Sequence, residues 1–141
     1  MIHIEVTRAN GESGFTASDA YGHSVSMDTS PETGGQNFGV RPMQMLLMGL
    51  GGCSGIDVVS ILKKQRQVLT GFKMFIDGER EVDKEPSLWR FIKISFELTG
   101  TIDFEKARRA CELSIDKYCS VAATLRGAGC QIEWDLRVIP G

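Results

Sequence analysis

The sequence has only two histidines, His3 and His23, and both lie far from its cysteines along the chain. Its four cysteines, Cys53, Cys111, Cys119 and Cys130, form no Cys-x-x-Cys pair. The usual ligand spacings of a structural zinc site are therefore missing, and spacing alone predicts neither a metal nor a cofactor site. Basic runs are equally scarce, none longer than Lys63-Lys64, and the net charge is −2. Without a basic patch, a nucleic-acid partner is not expected. The opening "MIHIEVTRANG" reads as a strand and turn rather than a charged-then-apolar leader. The most apolar run, Leu46 to Leu62, contains Asp57 and ends in "KKQRQ", so it is too short and too charged to predict a membrane span. No internal repeat or low-complexity segment stands out. Without a leader, the cysteines are expected as free thiols in a cytoplasmic protein rather than as a disulfide framework.

What is present suits one soluble domain over residues 1–141. Hydrophobic residues make up 42% of the chain and charged residues 24%, an ordinary globular composition. "IHIEV" alternates, with Ile2, Ile4 and Val6 on one face. "FTASDAYG" and "HSVSMDT" read as two further short strands, completing a small antiparallel meander. Residues 30–39 form a polar, glycine-rich loop, and Pro42 opens the next element as proline often opens a helix. From Pro42 to about Val68 the pattern is helical and apolar on nearly every side. Such a helix of about 27 residues is about 40 Å long. A chain of this size has few means to enclose it, and a second subunit would. "LTGFKMFIDGERE" and "WRFIKISFELTG" alternate as a strand pair joined by the charged link "VDKEPS". Asp103 is a good N-cap for "FEKARRACELSIDKY", with Phe104, Ala107, Cys111, Ser114, Ile115 and Tyr118 as the inner stripe. "CSVAATLRGAG" predicts a shorter helix and "CQIEWDLRVI" a closing strand. The order β-β-β-α-β-β-α-α-β predicts an α+β fold.

Four glycines, Gly49, Gly51, Gly52 and Gly55, crowd around Cys53 in the long helix. Each is unfavourable there by about 0.8–1.0 kcal/mol relative to alanine. From the residues alone, Cys53 has two readings: a small core residue, since free cysteine is among the most buried types, or a reactive thiol given room by its glycines. Cys119 follows "DKY" and starts a helix, where the positive end of the macrodipole would lower its pKa. Cys111 and Cys130 are in phase with helix and strand cores and read as inert.

"RPMQMLLMGLGGCSGIDVVSIL", followed some way on by "DKYCSVAATL", resembles the OsmC/Ohr family of osmotically inducible and organic-hydroperoxide-resistance proteins, in its Gly-Gly-Cys-Ser branch. The resemblance covers nearly the whole chain. It implies an OsmC-like fold, with antiparallel sheets around a long central cysteine-bearing helix, in an intertwined homodimer with active sites at the subunit interface. It also implies a thiol peroxidase. Cys53 would attack a hydroperoxide and Cys119 would resolve the sulfenic acid to a disulfide, which a cellular dithiol then reduces. The glycines would admit a close helix neighbour and a substrate. Met43 and Gln44 stand where family peroxidases carry a glutamate. Arg8, on the N-terminal strands, stands in the region of the family's thiolate-stabilising arginine, with Arg41 as a local alternative. Asp57, one turn beyond Cys53, would raise the thiol pKa if unpaired; its bland reading is a hydrogen bond or salt bridge across the dimer. The rival to the enzyme is a dimer of the same fold with weak or no peroxidase activity, which binds a small ligand or senses redox state.

Overall fold

The structure, a computed structural model, describes residues 1–141. The chain forms two compact units, Met1–Leu46 and Leu47–Gly141.

In the N-terminal unit β1 (Glu5–Asn10), β2 (Gly14–Ser18) and β3 (Ser24–Met27) form an antiparallel meander in that order. β1 starts later than its alternation suggests, and Ile2, Ile4 and Val6 are all exposed. The chain from Asp28 to Val40 folds back on the meander, and Val40 bridges Met27. Asp28 holds this return. Its buried carboxylate accepts hydrogen bonds from Ser13 Oγ and from the backbone N–H groups of Thr29, Gln36 and Phe38. These donors, Gln36 foremost, hold its pKa below the usual carboxylate value. Gly35 allows the tight approach, since a Cβ there would collide with the Thr29 carbonyl oxygen.

Helix α1 runs from Pro42 to Lys64. Pro42 occupies its first position, and Gln44 Oε1 accepts from the Arg41 backbone N–H at 3.3 Å, the reciprocal bond of a capping box. The helix ends before the predicted Val68. Arg66 adopts φ 59°, the Arg66 N–H reaches Lys63 O and the Gln67 N–H reaches Leu62 O. That is a Schellman ending built on arginine, so the glycine that usually marks such an end is missing from the sequence. Val68 instead begins β4. By length and composition α1 is the one helix able to cross a membrane. Its Leu50, Val58 and Leu62 are fully buried in the core of the C-terminal unit.

That unit is completed by β4 (Val68–Arg80), β5 (Trp89–Thr101), α2 (Phe104–Leu113), α3 (Ser120–Gly127) and β6 (Gln131–Pro140). β4 and β5 pair antiparallel as the expected hairpin. β6 lies on the other edge of β5 and runs parallel to it, which corrects the expectation of purely antiparallel sheets. The crossover through α2 and α3 is long enough for a parallel return. Alternation on β5 buries Ile92, Ile94, Phe96 and Leu98, which meet Ala107, Ala110, Cys111 and Ile115 in one core. Asp103 caps α2 by accepting from the Lys106 N–H, as expected. Phe104 and Tyr118, assigned to the inner stripe, are about half exposed. Regular α-helix stops at Leu113, and one π turn, Ser114–Tyr118, intervenes before α3.

Candidate functional site

Cys53 lies near the middle of α1 and is half-buried, with Ser54 fully buried beside it. Asp57, four residues on, lies on the same face of the helix and is half-buried. The opposing wall comes from the α2–α3 connection. In the π turn the Cys119 N–H reaches Ser114 O at 2.7 Å, five residues back. This widened turn places Cys119 at the N-cap of α3, where its sulfur accepts from the Ala122 N–H at 3.4 Å. Single π turns recur at functional sites because they re-aim side chains.

The result is a compact cluster. The Cys53 and Cys119 sulfurs and an Asp57 carboxylate oxygen all lie within 4.8 Å of one another. Both cysteines are free thiols. Ser114 Oγ donates to Asp57 Oδ2 at 3.0 Å and lies 3.0 Å from Ser54 Oγ. Asp57 therefore finds its hydrogen bond within the chain, where the bland reading of the sequence had placed it across a dimer.

The Cys119 thiol is pushed up to about 11, contrary to the expectation from its helix position. Burial is the largest cause. The Ala122 N–H opposes it, the neighbouring Cys53 adds to it, and the Val121 N–H opposes it weakly. Two backbone donors do not offset the removal of the thiolate from water. Burial pushes Cys111 up to about 12 and raises Cys130, the latter opposed by Arg126. Both are buried, as expected.

The glycines of α1 divide into two pairs. A Cβ on Gly51 would stand 2.8 Å from Ile76 Cδ1 and one on Gly55 3.0 Å from Met74 Cε, so these two let α1 lie close against β4. Gly49 and Gly52 face open space. Gly51, Gly52 and Gly55 border an open apolar cavity of about 630 Å³ with Ile56, Phe72 and Met74. A smaller cavity of about 400 Å³ reaches the cluster through Asp57, beside Tyr118 and Lys64.

The remaining sequence candidates belong to the N-terminal unit. Arg8 is exposed on β1, opposite Phe15. The Arg41 guanidinium donates to Asn37 Oδ1 and Gly39 O. Gln44 serves the start of α1, as described above. The sequence reading paired the two cysteines through a resemblance, but did not foresee the tie from Ser114 to Asp57. Its only residue-level sign was the four-residue spacing of Cys53 and Asp57.

The profile of the OsmC-like protein family matches residues 33–135. Protein YhfA of Escherichia coli (strain K12) is 40% identical over 116 residues, which cover 81% of this chain and 82% of that protein. The crystal structure of a hypothetical protein from Aquifex aeolicus VF5 matches with a TM-score of 0.81 at 29% identity, covering 98% of this chain and 97% of that one. An organic hydroperoxide resistance protein OsmC from Legionella pneumophila matches with a TM-score of 0.70 at 15% identity, over 99% and 96% of the two chains. At that identity the likeness shows a shared fold.

Proposed function

Because the chain belongs to the OsmC-like protein family, we propose that it is a homodimeric, cytoplasmic thiol peroxidase that reduces organic or inorganic hydroperoxides in defence against oxidative stress. The observation that carries this reading is the approach of the Cys53 and Cys119 sulfurs to within 4.8 Å. A Legionella protein of the same fold bears the name of organic hydroperoxide resistance, which agrees with it.

The Cys53 thiolate attacks the terminal peroxide oxygen. A sulfur–oxygen bond forms, the O–O bond breaks, and the alkoxide leaves and takes a proton to become the alcohol. The Cys119 sulfur then attacks the Cys53 sulfenic acid, forming a disulfide and releasing water. A cellular dithiol reduces that disulfide and is itself oxidised, so no cofactor is needed. The raised pKa of buried Cys119 argues against its being the thiol that meets peroxide first, while half-buried Cys53 retains access to solvent. The exposed face of α1 supports the dimer, with Ile56 73% and Val59 46% exposed along the larger cavity.

One observation favours a second reading. The 630 Å³ cavity is lined chiefly by apolar side chains, and a dimer that binds a small apolar ligand there with little peroxide turnover would also use it. Peroxide consumption separates the two. With excess dithiothreitol, the native protein should consume cumene hydroperoxide or hydrogen peroxide catalytically, and Cys53→Ser should fall to the rate of an ordinary thiol. Near-native consumption by Cys53→Ser, or none by the native protein, removes the peroxidase reading.

A further inference from the structure

We propose that Cys53, Asp57 and Cys119 together form a binding site for a soft divalent cation, with Zn(II) as the ion that fits the donor set. The inference stands on geometry and not on the peroxidase reading, because ion binding needs no peroxide.

Two sulfurs and one carboxylate oxygen converge within 4.8 Å of one another. In a tetrahedral site with Zn–S bonds of about 2.3 Å, the sulfurs stand about 3.8 Å apart. Closing the cluster onto an ion therefore needs only small side-chain movements. Thiolates select zinc over the hard cations calcium and magnesium, which take oxygen ligands. Cys53 and Asp57 lie four residues apart on one helix face, a spacing that lets two side chains share one ion. Cys119 joins them from the start of α3. Because its partners lie 62 and 66 residues earlier in the chain, no local spacing reveals the site.

The surroundings suit a metal centre. Ser114 Oγ holds Asp57 Oδ2, and such outer hydrogen bonds fix ligand orientation. The Ala122 N–H fixes the Cys119 sulfur in the same way. The cavity of about 400 Å³ opens to the Asp57 side of the cluster. Each thiol loses its proton to solvent as it coordinates. A Cys53–Cys119 disulfide removes two of the three donors, so the ion binds reduced protein alone. The bound ion in turn withholds both sulfurs from oxidants.

The test uses the full chain, reduced and freed of metal, titrated with Zn(II) against a chromophoric chelator. About one equivalent per chain should bind. Cys53→Ser and Cys119→Ser should each abolish binding, and Asp57→Asn should weaken it about 10-fold or more. Circular dichroism confirms that the variants fold. Co(II) in place of Zn(II) should give thiolate charge-transfer and tetrahedral absorption bands. A measurement on unaltered protein stands independently of folding: Zn(II) should slow alkylation of Cys53 by iodoacetamide. Absence of stoichiometric binding by reduced protein, binding that survives either cysteine substitution, or alkylation of Cys53 unaffected by Zn(II) would each overturn the proposal.

Discussion

Ser114 Oγ donates to Asp57 Oδ2 across 3.0 Å, joining the π turn after α2 to the helix that carries Cys53. Ser114 has one hydroxyl proton, and a carboxylate only accepts, so the Ser54 hydroxyl must supply the proton in its own 3.0 Å contact with Ser114. Both serines are fully buried. This chain of three groups links the two cysteine-bearing walls.

Ser114→Ala should therefore cost more than an ordinary surface change. It leaves Asp57 and buried Ser54 each short of a partner, for a loss of about 1–3 kcal/mol. Chemical denaturation measures it. The same variant should slow formation of the Cys53–Cys119 disulfide relative to native protein at equal peroxide. A denaturation midpoint and closure rate both equal to native would show that the tie does not position the wall.

The pH dependence of closure follows from Cys119. Its pKa, raised to about 11, keeps the proton on at neutral pH, and only the thiolate attacks. Rising pH increases the thiolate fraction about tenfold per unit until the pKa is approached. Disulfide closure after a single peroxide turnover should accelerate accordingly between pH 7 and 9, followed by rapid quench with a sulfenic-acid trap. A flat profile over that range would mean that Cys119 is not the resolving thiol or is already ionised.

The exposed apolar face of α1 predicts association. Met48, Ile56 and Val59 are 54%, 73% and 46% exposed on one helix. A chain of this size gains by covering such a face with a second copy. Sedimentation at micromolar concentration should report about twice the 15.5 kDa chain mass. Ile56→Asp should shift the population towards monomer. A native species of 15.5 kDa would contradict the dimer.

Much of the fold was legible because local rules decide it. Alternation marked β4 and β5, Pro42 marked the start of α1, and Asp103 marked the start of α2. Three features were not. The end of α1 rests on Arg66 in a conformation usually given to glycine. The parallel pairing of β6 with β5 is a long-range choice without a local signal. The π turn depends on how α2 meets the core, and its sequence "SIDKY" continues the helical pattern. At the site, motif resemblance paired Cys53 with Cys119. The helix N-terminus, read from the residues alone, gave the wrong sign for the Cys119 pKa, because helix position is visible in a sequence and depth of burial is not.

On the proposed function, Cys53 and Cys119 form one redox pair. Reduced protein treated with one equivalent of hydrogen peroxide, blocked with iodoacetamide and digested under non-reducing conditions should yield a dominant Cys53–Cys119 linked peptide, with Cys111 and Cys130 recovered as unmodified thiols or alkylated only after denaturation. A dominant Cys111–Cys130 bridge, or full recovery of Cys53 and Cys119 as separate thiols with the peroxide consumed, would contradict it.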